Sequence, residues 1–278
     1  MVTGRLVVCP TPIGNLEDVT LRVLAALREA DVVACEDTRR TRVLLDRYGV
    51  SGKLVSYHEH NEQARSGELV AQMSSGSVVA LVSDAGMPLV SDPGYVLVRA
   101  CVAAGLPVEV LPGPSAALTA LVASGLPAAS WQFEGFLPRK KGELRKVFES
   151  FGGTIVAFES PRRVPATLAL LASIDGAREV AVCRELTKVH EEVVRGSATE
   201  LAARYAEAPP RGEVVLVVGP AERGAAAGRA GLDATPAGLD ALRRLVEAGA
   251  HPRKAAGVVA ELTGGSANAL YRALTARE

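Results

Sequence analysis

Carboxylate and imidazole side chains follow apolar runs of this sequence, in an arrangement suited to acid–base chemistry or to binding a small polar ligand. A carboxylate or imidazole beside an attacking hydroxyl can take up its proton and accelerate a reaction by roughly 10²–10⁴-fold. The candidate proton acceptors are Glu36, Asp37, His58 and Glu59. The sequence does not select one of them, because no nucleophile and base stand at a fixed spacing.

Two of these segments also have plainer explanations. Asp37 or Thr38 suits the N-cap of a helix, where an acidic group lies at the positive end of the helix dipole. That role is compatible with ligand contact. His58 and His60 suggest a metal site, but a third metal ligand is not evident. We therefore predict substrate contact or loop anchoring at these histidines, and no metal site.

Three corners rich in Gly and Pro each follow a strand-like run: Cys9–Asn15, Ser83–Gly94 and Leu111–Ser115. The carboxyl ends of strands in open α/β sheets are where ligands bind. Rigid corners can present backbone carbonyls and amides there at low entropic cost. Within the second corner, Asp84 and Asp92 could receive an ammonium or hydroxyl group of a ligand, or could brace the loop.

Basic residues are concentrated after two further strand-like runs. One segment, Glu134–Lys146, has a Gly-Phe-Leu-Pro corner before its lysines and arginines, and Phe158–Arg163 carries an acid and two arginines. Basic runs are commonly solvated faces, but the corner favours a fixed phosphate-binding surface over a flexible tail. The second segment fits a helix start and a ligand-binding edge equally well.

The elements that would position these residues form a repeat of strand and helix up to about residue 125, which indicates an α/β domain. Strand-like runs with fewer helices follow and indicate a second α+β domain. A segment rich in Ala, Gly and Arg then precedes three short helices that resemble a helix-turn-helix. The predicted units are 1–125, 126–220, a linker at 221–238 and a small helical domain at 239–278.

Composition narrows the class of protein further. The chain has 278 residues and zero formal net charge, so a nucleic-acid surface has to be a local basic patch. The four cysteines are widely spaced and support neither disulfides nor a zinc site. We expect a cytoplasmic protein, because there is no apolar run long enough for a bilayer and no signal-peptide pattern at the N-terminus. A GxGxxG fingerprint and a P-loop lysine are both missing, which argues against a conventional dinucleotide site.

Eight motifs in order resemble the ribosomal RNA small subunit methyltransferase I family, part of the tetrapyrrole-methylase superfamily. They are TPIGNLEDVTLR, ACEDTRRT, SYHEHNE, ALVSDAGMPLVSDPGY, LPGPSAALTAL, FEGFLPRKKG, FESPRR and RELTKVHEE, spread over residues 5–220. Met87 and Arg162 depart from the family, whose members commonly carry Thr and His there. The resemblance implies a two-domain class III methyltransferase fold with a small C-terminal helical domain.

The resemblance also implies a reaction, 2′-O-methylation of a cytidine in the decoding region of small-subunit ribosomal RNA, with S-adenosylmethionine as cofactor and a homodimer as assembly. The assembled subunit and free RNA both remain possible acceptors. The implied cofactor contacts are Pro12, Asp84, Gly86, Met87, Pro88, Val90, Asp92, Ser115, Ala116, Phe158 and Gly219. The candidate contacts to RNA phosphates are Arg39, Arg139, Lys140, Lys141 and Arg162.

Two other functions fit the same fold. One is methylation of a tetrapyrrole or another small acceptor, which would need neither the basic segment nor the helical domain. The other is a non-catalytic RNA-binding assembly factor, which the intact Gly/Pro corners disfavour. The helical domain itself could contact RNA or could be an element of stability or dimerisation.

Overall fold

The computed structural model of the protein describes residues 4–221, 236–263 and 266–275. Its first sheet contains β1 (Arg5–Cys9), β2 (Val32–Cys35), β3 (Leu54–Ser56), β4 (Val78–Val82) and β5 (Val108–Val110). The strands are all parallel, in the order β3-β2-β4-β1-β5. The helices between and after them are α1 (Leu21–Glu29), α2 (Thr38–Arg47), α3 (Glu62–Ser74), α4 (Tyr95–Ala103) and α5 (Ala116–Ser124), with a 3-10 turn at Leu16–Asp18.

Helices cover both faces of this sheet. Successive side chains of a strand point to opposite faces, so Val7 packs with α1 and α2 while Leu6 packs with α3 and α4. A parallel sheet buried on both faces needs continuous apolar strands, and the strand Val78–Val82 is buried throughout. The strands' carboxyl ends therefore leave the core at a single edge, and the Gly/Pro corners begin there.

The second sheet contains β6 (Trp131–Phe136), β7 (Thr154–Glu159), β8 (Glu179–Arg184), β9 (Glu192–Ser197) and β10 (Val214–Val218), in the order β6-β7-β10-β8-β9. The pair β6 and β7 is parallel, and the other neighbours are antiparallel. One face is covered by α6 (Lys141–Ser150), α7 (Val164–Ile174) and α8 (Ala198–Glu207). The predicted two-domain α/β fold is confirmed.

Helix α5 joins the two domains. Its buried residues Ala117, Ala120 and Leu121 pack against β7, β8 and β10 of the second sheet, although the chain reaches α5 directly from β5. Arg195 on β9 donates hydrogen bonds to the carbonyls of Ala123 and Ser124 at the end of this helix. The boundary predicted at residue 125 thus falls after a helix that already covers the second sheet.

In the described residues from 236 onward the chain forms three helices: α9 (Pro236–Glu247), α10 (Pro252–Thr263) and α11 (Ala267–Thr275). They share a core that includes Leu242, Val259 and Leu270. Most of the predicted linker, 222–235, lies outside the described residues, but α9 begins at Pro236 and so takes up the residues predicted to end the linker at 238. None of the helices in the described parts of the chain is long and apolar enough to cross a membrane.

Candidate functional site

Two Gly/Pro corners are tied together at the carboxyl edge of the first sheet. Thr11 and Gly86 exchange backbone hydrogen bonds, both 2.9 Å from N to O. The Thr11 hydroxyl donates to the Ser83 carbonyl at 3.0 Å, and the Ser83 hydroxyl donates to the Gly86 carbonyl at 3.0 Å. Because these groups are buried and mutually satisfied, the loop after β4 is held in place by the loop after β1.

A cavity of about 490 Å³ opens between this edge and the second sheet. Its size lies within the usual range for small-molecule sites, about 300–1,000 Å³. The lining is apolar along one wall, with Ile13, Phe158 and Leu186, and acidic at one end. Among the residues predicted to contact a cofactor, the lining includes Asp84, Gly86, Met87, Val90, Asp92, Ser115, Ala116 and Phe158.

The loop that carries Val90 and Asp92 into the lining has a strained backbone. Leu89 and Ser91 have φ angles of 72° and 67°, in the left-handed region that side-chain-bearing residues rarely adopt. Such conformations cost of order 1–3 kcal/mol each and persist only where surrounding packing imposes them. Here Gly94 contributes, because a Cβ at that position would lie 2.7 Å from Leu89 Cδ1.

Three carboxylates, Glu36, Asp84 and Asp92, make the acidic end of the cavity. Asp84 accepts a hydrogen bond from the backbone N–H of Asp37 at 3.0 Å and lies 3.5 Å from an Arg40 guanidinium nitrogen. Burial, followed by the charges of Glu36 and Asp84, raises the pKa of Asp92 to about 7. Burial and the charge of Asp84 also raise the pKa of Glu36.

Asp37 caps α2 and lies outside the cavity lining. Its carboxylate accepts from the backbone N–H of Arg39 at 2.8 Å and pairs with the same residue's guanidinium at 2.8 Å. Hydrogen bonds from Arg39 lower the pKa of Asp37 to about 2. A carboxylate already engaged in this way is a poor proton acceptor, so Asp37 fits its alternative role as helix cap.

His58 and Glu59 lie in the turn before α3 and do not line the cavity. The His58 backbone N–H donates to the Asn61 side chain at 2.9 Å, and the ring lies 3.3 Å from the Asn61 amide nitrogen. His58 Nδ1 is buried and, among the described residues, has no hydrogen-bond partner. The contacts of His58 are thus those of a loop anchor, which was one of the two roles expected for it.

The second domain contributes the start of β10 to the cavity. Gly212, Glu213, Val214 and Val215 are lining residues. Because β10 runs antiparallel to β7, its first residue Val214 lies opposite Glu159, at the carboxyl end of β7. Gly219, predicted as a cofactor contact, lies beyond the other end of β10, where its carbonyl accepts from buried Arg178 at 2.7 Å. Gly219 therefore lies outside this cavity lining, and the cofactor contact that the resemblance implies there stays a prediction.

Glu159 and Arg163 connect the two basic segments, Glu134–Lys146 and Phe158–Arg163, by hydrogen bonds and an ion pair. The Glu159 carboxylate, completely buried, accepts from the Ser160 N–H and the Thr167 hydroxyl, both at 2.7 Å, and lies 3.4 Å from Arg163. Arg163 donates to the carbonyls of Leu137 and Pro138 at 3.1 and 2.6 Å. This network fixes the corner from which the basic run emerges.

The residues predicted to contact RNA are exposed, Arg39 on the first turn of α2 and the others around this corner. Lys140 lies 3.3 Å from Glu143, and Arg39 is engaged with Asp37. For Arg139, Lys141 and Arg162, no hydrogen bond or ion pair occurs within the described ranges. The cavity's acidic end also involves a guanidinium that the sequence did not single out, Arg40.

Pro12 and Pro88 are buried behind the lining instead of within it. Their neighbours Ile13 and Met87 face the cavity, so the rigid corners act through adjacent residues.

Sequence reasoning missed the start of β10, the segment around Leu186, and Arg40. A usable signal was the position of Arg40 four residues after Glu36, on the first turn of a helix that follows a strand. Cys183 also lines the cavity, and burial raises its pKa to about 11, so its thiol stays neutral.

Comparisons with known proteins relate this chain to a family. A family model described as "Tetrapyrrole (Corrin/Porphyrin) Methylases" matches residues 5–202. Ribosomal RNA small subunit methyltransferase I of Mesorhizobium japonicum is 48% identical over 269 residues, which cover 95% of this chain and 89% of that protein. The protein of the same name from Thermotoga maritima is 46% identical over 217 residues, which cover 77% of this chain and 98% of that protein.

A solved structure has the same fold. Uroporphyrin-III C-methyl transferase from Thermus thermophilus, complexed with S-adenyl homocysteine, superposes with a TM-score of 0.55 at 22% identity, covering 78% of this chain and 97% of that one. At this identity the likeness concerns the fold alone. The family model spans most of the chain, and the two relatives match 95% and 77% of it at 48% and 46% identity. The chain therefore belongs to the tetrapyrrole methylases and, among them, to the ribosomal RNA small subunit methyltransferase I family.

Proposed function

We propose that the protein transfers a methyl group from S-adenosylmethionine to the ribose 2′-oxygen of a cytidine in the decoding region of small-subunit ribosomal RNA. The observation that carries this proposal is the cavity walled by both α/β domains, with an acidic end. Beside it lies the basic corner, the turn at Leu137 and Pro138 that Arg163 holds and that leads into Arg139, Lys140 and Lys141. The names of the relatives, at 48% and 46% identity, support ribosomal RNA as the acceptor.

The lining fits the proposed cofactor in chemistry as well as size. Apolar side chains such as Phe158 and Leu186 suit an adenine ring, and the backbone around Gly86 offers hydrogen-bonding groups. The carboxylates of Asp84 and Glu36 suit a positively charged ammonium or sulfonium group. When bound, S-adenosylmethionine supplies a methyl group already activated by a positively charged sulfur.

The protein's own residues would chiefly position the acceptor. Alignment of two reacting groups can supply about 7–11 kcal/mol of barrier reduction. The tied loops at Thr11 and Gly86 keep the cavity wall rigid, and the network of Glu159 and Arg163 holds the basic corner at a fixed place beside it. Exposed Arg139, Lys140, Lys141 and Arg162 would bind RNA phosphates there. These contacts would place a ribose, since phosphate contacts set register.

A methyl-transfer assay with three acceptors tests the proposal. The acceptors are assembled small subunits, free small-subunit ribosomal RNA and a tetrapyrrole precursor, each with radiolabelled cofactor. We expect label in RNA, at a nuclease-resistant 2′-O-methylated cytidine. Label only in the tetrapyrrole would refute the proposal, and failure to bind cofactor in calorimetry would favour an assembly factor.

We further propose that the protein is a cytoplasmic homodimer that acts on the assembled subunit. Exposed apolar side chains support a second copy as partner: Leu118 and Val122 lie one turn apart on α5 and are 50% and 82% exposed. Light scattering after Leu118→Glu with Val122→Glu tests the dimer. A monomer is expected, and an unchanged dimer mass would remove this face from the interface.

A further inference from the structure

The cavity holds more carboxylates than cofactor binding needs, and most of them are already engaged. Asp84 accepts from the Asp37 N–H and pairs with Arg40. Glu159 and Glu213 are also lining residues. Glu159 accepts hydrogen bonds from Ser160 and Thr167. Glu213 pairs with the ammonium of Lys188 at 2.9 Å. Within the described residues, only two lining carboxylates have neither a hydrogen bond nor an ion pair: Glu36 and Asp92.

Asp92 lies on the side of the cavity that faces the basic corner. The residue before it, Ser91, approaches β6, since a Cβ added to Gly135 would lie 3.4 Å from Ser91 Oγ. β6 is irregular at this point, with a shift in pairing between Phe133 and Phe136. The same strand leads directly into the segment with Lys140 and Lys141. An RNA strand on that segment would therefore reach the cavity past Asp92.

The backbone leading to Asp92 is strained, and this strain positions the Asp92 side chain at the cavity. Leu89 and Ser91, both with positive φ, flank Val90 within the turn that ends at Asp92. Strain of this kind clusters at functional sites, where the surrounding structure imposes it. Glu36, in contrast, directly follows β2 with no such distortion, and the nearby Arg40 guanidinium counteracts the burial and the Asp84 charge that raise its pKa.

We propose that the Asp92 carboxylate accepts the proton of the ribose 2′-hydroxyl, an assignment that rests on the proposed methyl transfer to RNA. In that transfer the 2′-oxygen forms a bond to the methyl carbon, and the carbon–sulfur bond of the cofactor breaks with its electron pair passing to sulfur. The hydroxyl proton passes to Asp92 and then to solvent. Sulfur loses its positive charge, so no further reactant is needed.

Electrostatics supports this role. The charged groups that line the cavity together with Asp92 are Glu36 and Arg40 from the segment after β2, Asp84 from its own loop, and Glu159 and Glu213 from the second domain; of these, Glu36 and Asp84 act on the Asp92 carboxyl. Burial, Glu36 and Asp84 raise the pKa of Asp92 to about 7. A general base works best with a pKa near the working pH. Asp92 is the ionised base above this value, so the transfer rate should rise with pH through about 7.

Single-turnover methyl transfer to small subunits between pH 5.5 and 9 tests the assignment, with cofactor affinity measured by calorimetry. We expect Asp92→Asn to lower the rate by roughly 10²–10⁴-fold and to abolish the rising limb, while cofactor affinity changes less than about threefold. Glu36→Gln should keep the limb but move it to lower pH, because a neighbouring negative charge is removed.

The outcomes separate this assignment from the proposed function. If the unaltered protein methylates RNA and Asp92→Asn retains its rate or its rising limb, the assignment is overturned and the proposed function stands. Equal losses of rate and cofactor affinity in Asp92→Asn would also overturn it, by making Asp92 a cofactor ligand. Absence of RNA methylation by the unaltered protein would overturn the proposed function and the assignment together.

Discussion

Replacing Arg163 with alanine should destabilise the second domain far more than the same change at its neighbour Arg162. Arg163 joins the buried Glu159 carboxylate to the carbonyls of Leu137 and Pro138. Arg162 is exposed and, within the described ranges, has no hydrogen bond or ion pair. The two residues are adjacent and chemically identical, so Arg162→Ala is a matched control.

The magnitude follows from what the change leaves behind. Removal of one partner of a buried ion pair costs about 3–5 kcal/mol. Two features reduce this figure: the Arg163 side chain is 30% exposed, so water partly replaces it, and Glu159 keeps its bonds from Ser160 and Thr167. Two carbonyls also lose a charged donor. We expect Arg163→Ala to lower the free energy of unfolding by about 2–4 kcal/mol, and Arg162→Ala to change it by less than about 0.5 kcal/mol.

Urea unfolding provides the assay. The chain has a single tryptophan, Trp131, which lies on β6 of the second domain, so its fluorescence reports on the domain that contains the network. A double-mutant cycle with Glu159→Gln then measures the coupling between the two residues. Equal unfolding free energies for Arg163→Ala and Arg162→Ala, or zero coupling in the cycle, would refute the reasoning.

Three other changes probe the site and its surroundings. Thr11→Val should weaken cofactor binding and lower stability by about 1–3 kcal/mol, because the buried Ser83 carbonyl loses its donor; Thr11→Ser should restore both, and calorimetry that finds normal binding in Thr11→Val would contradict the role of this tie. Lys140→Ala with Lys141→Ala should reduce the slope of log affinity for RNA against log salt concentration by about 1–2; an unchanged slope would remove these lysines from the RNA surface. Deletion of 222–278 should leave cofactor affinity unchanged, because α9, α10 and α11 have a core of their own and 217 aligned residues account for 98% of the Thermotoga maritima relative; RNA affinity and oligomeric mass of the same variant then decide between an RNA contact and a dimerisation element.

The sequence by itself predicted features that are determined locally. Apolar runs such as Val78–Val82 are long enough to be strands buried on both faces, and the corners that interrupt them contain Gly and Pro at the points where the chain turns. The cap at Asp37 and a ligand site on the loop Ser83–Gly94 follow from this pattern, because parallel strands bring their carboxyl ends to one edge. The individual contacts at Gly86 and Val90 came from the family resemblance, and both residues line the cavity. Ordered motifs also identified the family.

Only the tertiary structure decided contacts that depend on strand direction and on pairs distant in the chain. The composition of β10 does not reveal that it runs antiparallel to β7, so only the structure places Val214 and Val215 in the cavity lining and Gly219 beyond the other end of the strand. The different roles of the acidic residues depend on partners far away in sequence. Asp84 accepts a hydrogen bond from the Asp37 N–H, and burial and the charge of Glu36 raise the pKa of Asp92. The local sequence determines that an aspartate stands in a turn at position 92. The burial and the neighbouring charges that set the pKa of its carboxyl exist only in the folded protein, where both domains line the cavity.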